Sequence, residues 1–121
     1  MSLHLELASI IESTLADALD APIEHKQDVM ILRLANGITL DVRYAAADAY
    51  SMRWLYGDAE LGIDTAPLHP DLPTFPNHLH DADGVARPDP ITQAGASPAD
   101  NLQKLVRALL ENPLLGVGEP A

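Results

Sequence analysis

The 121-residue sequence contains no cysteine, which excludes a disulfide framework, a zinc-thiolate cluster and a cysteine nucleophile. It is also poor in positive charge, with seven Lys and Arg against eighteen Asp and Glu and a formal net charge of −11. Such an excess of anionic side chains repels phosphate backbones and anionic lipid. Sequence-independent nucleic-acid binding is therefore disfavoured unless the few cations gather on one face, and a basic partner suits the chain better. No run of about 18 apolar residues is free of charge, and no basic N-terminal segment leads into an apolar one. Neither a membrane span nor a secretory leader is expected, and the reading is a cytoplasmic protein with no membrane partner. Also missing are a Gly-rich phosphate loop with its lysine, a Gly-x-Ser-x-Gly elbow and a His-Glu-x-x-His helix.

What is present is an ordinary apolar fraction of 47%. At about 100 to 200 residues per domain, the length fits one domain spanning 1–121. Leu3, Leu7, Ile10, Ile11, Leu15, Ala18 and Leu19 recur at the three-and-four spacing of a helical face, which predicts an amphipathic helix over 3–19 with Ser2 as its N-cap, ending before Pro22. The period then changes to two, predicting strands over 28–34, 38–45, 49–56 and 59–64. Between the first two, a type I turn closing at Gly37 in a left-handed bulge pairs Leu34 with Ile38, Leu32 with Leu40 and Met30 with Val42. A two-residue Asn36-Gly37 turn would instead mix apolar with charged side chains on one face, since a one-residue slip reverses every side chain.

The expected result is an α+β fold, a four-stranded antiparallel meander with one face covered by helix. The other face carries Arg33, Arg43, Arg53, Asp41, Glu60 and Asp64, with Val29 and Ile31 as apolar exceptions. Its plain reading is a solvated ladder of ion pairs; its functional reading is a cationic floor that binds phosphate through Arg33, Arg43 and Arg53. Trp54, Tyr44, Tyr50 and Tyr56 sit at strand spacing and read as core or sheet surface, not as a base-stacking platform.

From 65 to 97 no hydrophobic period remains, and Thr65 to Pro98 holds seven of the ten prolines. This predicts a long irregular loop, and connections beyond about 15 residues are usually functional or disordered. Three of the five histidines fall here, which argues for function. Ser97-Pro98-Ala99-Asp100 then caps a second helix over 98–112, followed by an apolar tail of Leu114, Leu115 and Val117.

Chemistry concentrates in the loop. In an extended segment His78 and His80 project to one side and Leu79 to the other, so both rings reach one ligand. Together with His69, Asp64 or Asp81 they can be read in three ways. They can hold a divalent metal such as zinc or nickel. They can act without metal as general acid and base on the 2′-hydroxyl and leaving oxygen of RNA. Or they simply bond loop carbonyls and hold the segment on the sheet. No cofactor is required by the metal-free reading, which has Asp64, His69, His78 and His80 as catalytic residues; within the loop, Arg87 is the one cation. His4 and His25 are isolated and read as exposed or packed at helix edges.

The run Ile63-Asp64-Thr65-Ala66-Pro67-Leu68-His69-Pro70, then Leu72-Pro73-Thr74-Phe75-Pro76-Asn77-His78-Leu79-His80, resembles the signature of the TumE family: Asp-Asn-Ala-Pro-His-His-Pro, then Phe-Pro-His-His-Lys-His. The resemblance runs from Met30 to Glu111, including Tyr50-Ser51, and its specificity lies in the loop. Asp64, Ala66, Pro67, His69, Pro70, Phe75, Pro76, His78 and His80 match, whereas Thr65, Leu68, Asn77 and Leu79 depart, which takes two imidazoles and a cation from the pattern. The family's members are described as toxins of bacterial and archaeal toxin–antitoxin pairs, typically encoded beside a helix-turn-helix antitoxin. The resemblance thus implies a toxin-like component neutralised by such an antitoxin, with RNA as target by analogy with other small toxins. Two other readings stand beside it: a non-enzymatic acidic module that docks a basic protein, and a metal-dependent hydrolase. An open sheet edge leaves room for a homodimer.

Overall fold

The structure is a computed structural model and describes residues 3–115. Helix α1 runs over Leu3–Thr14 and a 3₁₀ turn follows at Ala16–Ala18. Seven strands come next: β1 Glu24–Lys26, β2 Val29–Arg33, β3 Thr39–Ala46, β4 Ala49–Tyr56, β5 Ala59–Asp64, β6 His78–His80 and β7 Ala86–Pro88. Helix α2, Pro98–Glu111, closes the chain. The strands form one antiparallel sheet in chain order.

The α+β class is as expected, but the sheet has seven strands and not four. The three additions are each three residues long, too short to show a period. β1 returns on β2 through a turn with Gln27 at φ 52°, a left-handed conformation. β6 and β7 form a hairpin inside the segment expected to be irregular. Asp81 makes their turn, its Oδ1 accepting from the amides of Asp83 and Val85 while Gly84 takes φ 79°. Pro88 is tolerated because it ends an edge strand.

The predicted first helix is also too long, for α1 stops at Thr14. The Ser13 and Thr14 hydroxyls both donate to the Ile10 carbonyl, at 3.0 and 2.6 Å, a side-chain bond that competes with the helical ladder. Residues 18–20 then pair with the end of β2, Asp20 N–H donating to the Arg33 carbonyl and Ala35 N–H to that of Ala18. The predicted N-cap Ser2 and the tail residue Val117 lie outside the described residues; Leu114 and Leu115 pack on the core.

The register of β2 and β3 follows the bulge reading: Met30 faces Val42, Leu32 faces Leu40, and Leu34 N–H donates to the Ile38 carbonyl, with Gly37 at φ 91°. Met30, Leu32, Leu40, Val42, Met52, Trp54, Leu61 and Ile63 are buried on one face beneath Leu7 and Ile11 of α1 and Leu102, Leu105, Val106 and Leu109 of α2. Ser97 caps α2 through the Asp100 amide, and the Trp54 indole donates to the Pro113 carbonyl at 2.9 Å. The other sheet face is not covered by helix, so Arg43, Arg53, Leu55 and Glu60 stay exposed. No helix among the described residues is long and apolar enough to cross a membrane.

Candidate active site

Strand register builds the site. Asp64 at the end of β5 faces His78 on β6, and Gly62 faces His80. Leu79 between the histidines is wholly buried in the core, so alternation sends both imidazoles to the opposite face, beside Asp64. There the two Nε2 atoms stand 2.9 Å apart. Asp64 Oδ1 lies 3.2 Å from His78 Nε2, and Oδ2 lies 3.5 Å from His80 Nε2. The ring of His69 reaches back edge-on, its centroid 4.8 Å from that of His78 and 6.3 Å from that of His80. All four loop-proximal residues named from the sequence are thus brought together.

Each group is also held from behind. The Ala66 amide donates to Asp64 Oδ1 at 3.0 Å. His78 Nδ1 stands 3.3 Å from the Pro76 carbonyl, which can only accept, so the proton of the neutral ring sits on Nδ1 and the Nε2 lone pair points into the cluster. Exposure differs sharply: the His78 side chain is 1% exposed and that of His80 42%, so one imidazole is fixed and the other meets solvent.

A buried polar network anchors the loop to the sheet. Asn77 donates to the Tyr50 hydroxyl at 2.8 Å and to Asp89, the Tyr50 hydroxyl donates to Thr92, and Asp89 Oδ1 accepts from the amides of Ile91 and Thr92. Burial, first of all, raises the Tyr50 phenol above its ordinary value. These anchoring residues escaped the sequence reading; the one local signal was Asp89-Pro90, a turn-initiating pair. Arg87, the loop's cation, is not free either, because its Nε binds the buried Asp81. Burial alone would raise the Asp81 carboxyl, but Arg87 and the amides of Val85 and Asp83 outweigh it and hold it below the ordinary carboxylate value.

The arginines share the open face, each beside a carboxylate: Arg33 with Glu24 at 2.8 Å, Arg43 with Asp28 at 3.8 Å and Arg53 with Glu60 at 3.5 Å. Of the three partners weighed from the sequence only Glu60 is used, because β1 and its turn were not foreseen. Two arginines stand in the rows of the site. Arg43 faces Ser51, which faces Asp64, which faces His78; Arg53 faces Gly62, which faces His80. A shallow hollow of about 230 Å³ joins Arg53, Gly62 and His80, and a larger one of about 510 Å³ adjoins it between Arg43, Arg53 and Glu60.

The family model described as Toxin TumE matches residues 6–112. The chain belongs to the TumE toxin family. No match was found among curated proteins or solved structures. The match reaches further towards the N-terminus than the loop signature and takes in most of α1. In this TumE chain the departures from the signature leave the cluster intact: Asn77 is buried in the anchoring network, Leu79 lies in the core, and Leu68 is 69% exposed. Membership of a toxin family points to an antitoxin as the partner.

Proposed function

We propose that this protein is the toxin of a toxin–antitoxin pair and that it cleaves RNA at the Asp64–His78–His80 cluster, neutralised by a helix-turn-helix antitoxin encoded nearby. The observation that carries the reading is the convergence of two imidazole nitrogens and a carboxylate within 2.9–3.5 Å in a toxin-family chain. In the proposed reaction the cluster takes the proton of a 2′-hydroxyl, the 2′-oxygen attacks phosphorus, and the bond to the 5′-oxygen breaks as an imidazole returns a proton to it. His69, whose ring lies edge-on to that of His78 with centroids 4.8 Å apart, suits that second role. Positioned proton transfer of this kind contributes about 10²- to 10⁴-fold in rate.

The acidity of the chain does not forbid an RNA substrate. Exposed ion pairs are worth about 0–1 kcal/mol, so a phosphate can compete with Asp28 and Glu60 for Arg43 and Arg53. Arg33, bound to Glu24 at the β1 side, is less well placed.

Regulated expression should arrest growth and the neighbouring gene should rescue it. His80→Ala, at the exposed imidazole, should reduce RNA cleavage by about 100-fold or more and abolish arrest without lowering the melting temperature. Undiminished toxicity in a folded His80→Ala protein would overturn the site assignment. Persistent acidic-surface binding to a basic protein, with no RNA cut by the wild type, would favour the docking-module reading.

A further inference from the structure

We infer that Asp64, His78 and His80 form a binding site for a single divalent transition-metal ion of the zinc class, with His69 the nearest further donor. This deepens the reading of the same cluster and rests on that reading only for what the ion would do to a substrate; with the ion bound its three donors would be taken, and a water activated by the ion would be the base in their place. Three observations lead to it.

The first is spacing. The two Nε2 atoms are only 2.9 Å apart, too close to admit a phosphate between them, so they cannot be the base and the acid of one reaction, which is why the acid is placed at His69. The same spacing suits one ion that both nitrogens touch. Zinc bonds of about 2.0–2.1 Å in a tetrahedron place neighbouring donors about 3.3 Å apart. The two nitrogens are 2.9 Å apart, each lies 3.2 or 3.5 Å from its own oxygen of Asp64, and one donor atom from each of the three residues falls within 4.8 Å of the others, a spread that a small movement of the side chains closes onto one ion.

The second is the direction of the lone pairs. The Pro76 carbonyl can only accept and so takes the Nδ1 proton of His78, which in the neutral ring leaves the Nε2 lone pair facing the Asp64 carboxylate, itself an acceptor only. One proton on His80 Nε2 can serve His78 or Asp64 in turn; a divalent cation serves all three. A ring nitrogen held by a backbone carbonyl, with its other nitrogen presented forward, is how metal-binding histidines are oriented. The Ala66 amide does the same for Asp64.

The third is the donor set. Two imidazoles and one carboxylate suit zinc, or iron(II) in a facial arrangement, and not calcium or magnesium, which favour oxygen throughout. His69 is the next imidazole, its ring centroid 4.8 Å from that of His78, and would have to turn to offer a fourth donor. A bound ion would supply a Lewis acid for a phosphodiester oxygen.

The test is direct titration of the full chain, purified without a histidine tag and freed of metal with a chelator. Zinc(II) and cobalt(II) are titrated by calorimetry and by the visible absorption of cobalt. One ion per chain is expected. His80→Ala and Asp64→Asn should each weaken binding by about 100-fold or more, since even residues behind the ligands change affinity by about 10- to 100-fold. His69→Ala should weaken it less, and His25→Ala should not change it. His78 is buried and its variants can unfold, so His80 and Asp64, with circular dichroism as the folding control, carry the decision. Absence of saturable one-to-one binding in the wild type, or equal affinity in the wild type, His80→Ala and Asp64→Asn proteins, would overturn the inference. Growth arrest without metal binding would sink the ion and spare the toxin; metal binding lost in His80→Ala, in a wild-type protein that cuts no RNA, would do the reverse.

Discussion

Asn77 and Leu79 flank His78, and neither faces the cluster. The alternation of an extended chain was enough to place His78 and His80 on one side and Leu79 on the other, so the core of the site was legible from three consecutive residues. What surrounds it was not, because Tyr50 and Thr92 reach Asn77, and Asn101 reaches the Tyr50 hydroxyl, from positions far along the chain. The arginine partners were hidden for a similar reason: Glu24 and Asp28 belong to a strand and a turn too short to announce themselves. Gly62 carries a prediction at this scale. A Cβ there would sit 3.2 Å from the Met52 carbonyl oxygen and 3.3 Å from Arg53 Cγ, and the carbonyl is fixed by the sheet. Gly62→Ala should cost about 1 kcal/mol in urea denaturation and reduce RNA cleavage by narrowing the hollow between Arg53 and His80.

At the scale of elements, β3, β4, β5 and α2 were readable to within about a residue, as strong periods and a complete cap allow. The β6–β7 hairpin was not, although Asp83-Gly84 is a turn signal, because the flanking strands offer only three residues each. Asp81 ties that hairpin together. Its folded-state pKa lies below the ordinary 3.8, so its contribution to stability is full above about pH 4 and is lost as pH falls through the lowered value. Asp81→Asn should therefore flatten the acid limb of the stability profile, measured by urea midpoints from pH 5 to pH 2. Helix α1 responds at higher pH. His4 Nε2 accepts from the Tyr44 amide at 2.9 Å, and its pKa is lowered first by burial and then by His25, against the opposing pull of Asp28. The neutral ring is the one that fits, so this contribution is complete above about pH 6.5 and fades as pH falls below it. His4→Gln should remove that dependence between pH 7 and pH 5, read by helical circular dichroism during denaturant titration.

For the whole molecule the proposed RNA substrate would have to meet a chain of net charge −11. The charge is not uniform over the surface, for Arg43 and Arg53 lie in the rows that lead to the histidines, and the carboxylates beside them are exposed. The two members of one pair should then act oppositely. Arg53→Gln should weaken RNA binding and reduce the slope of log affinity against log salt by about 0.7, the value for one phosphate contact on a single strand. Glu60→Gln should tighten binding, because it releases Arg53. Equal effects of the two substitutions, read by fluorescence anisotropy across a salt series, would show that the row plays no part in holding the substrate.

The strands lie side by side in the order in which they occur along the chain, β1 to β7. Every sheet pairing is therefore a hairpin between successive segments, the arrangement with the least loop-closure entropy to overcome and the fastest folding expected of a sheet. During synthesis the sheet can grow strand by strand as the chain emerges, and Asp64 meets His78 once the β5–β6 pair closes. The apolar face lacks its cover until Leu102, Leu105, Val106 and Leu109 of the last helix are made. A ribosome-bound chain ending before residue 98 thus carries every side chain of the cluster while part of the core beneath it is still missing.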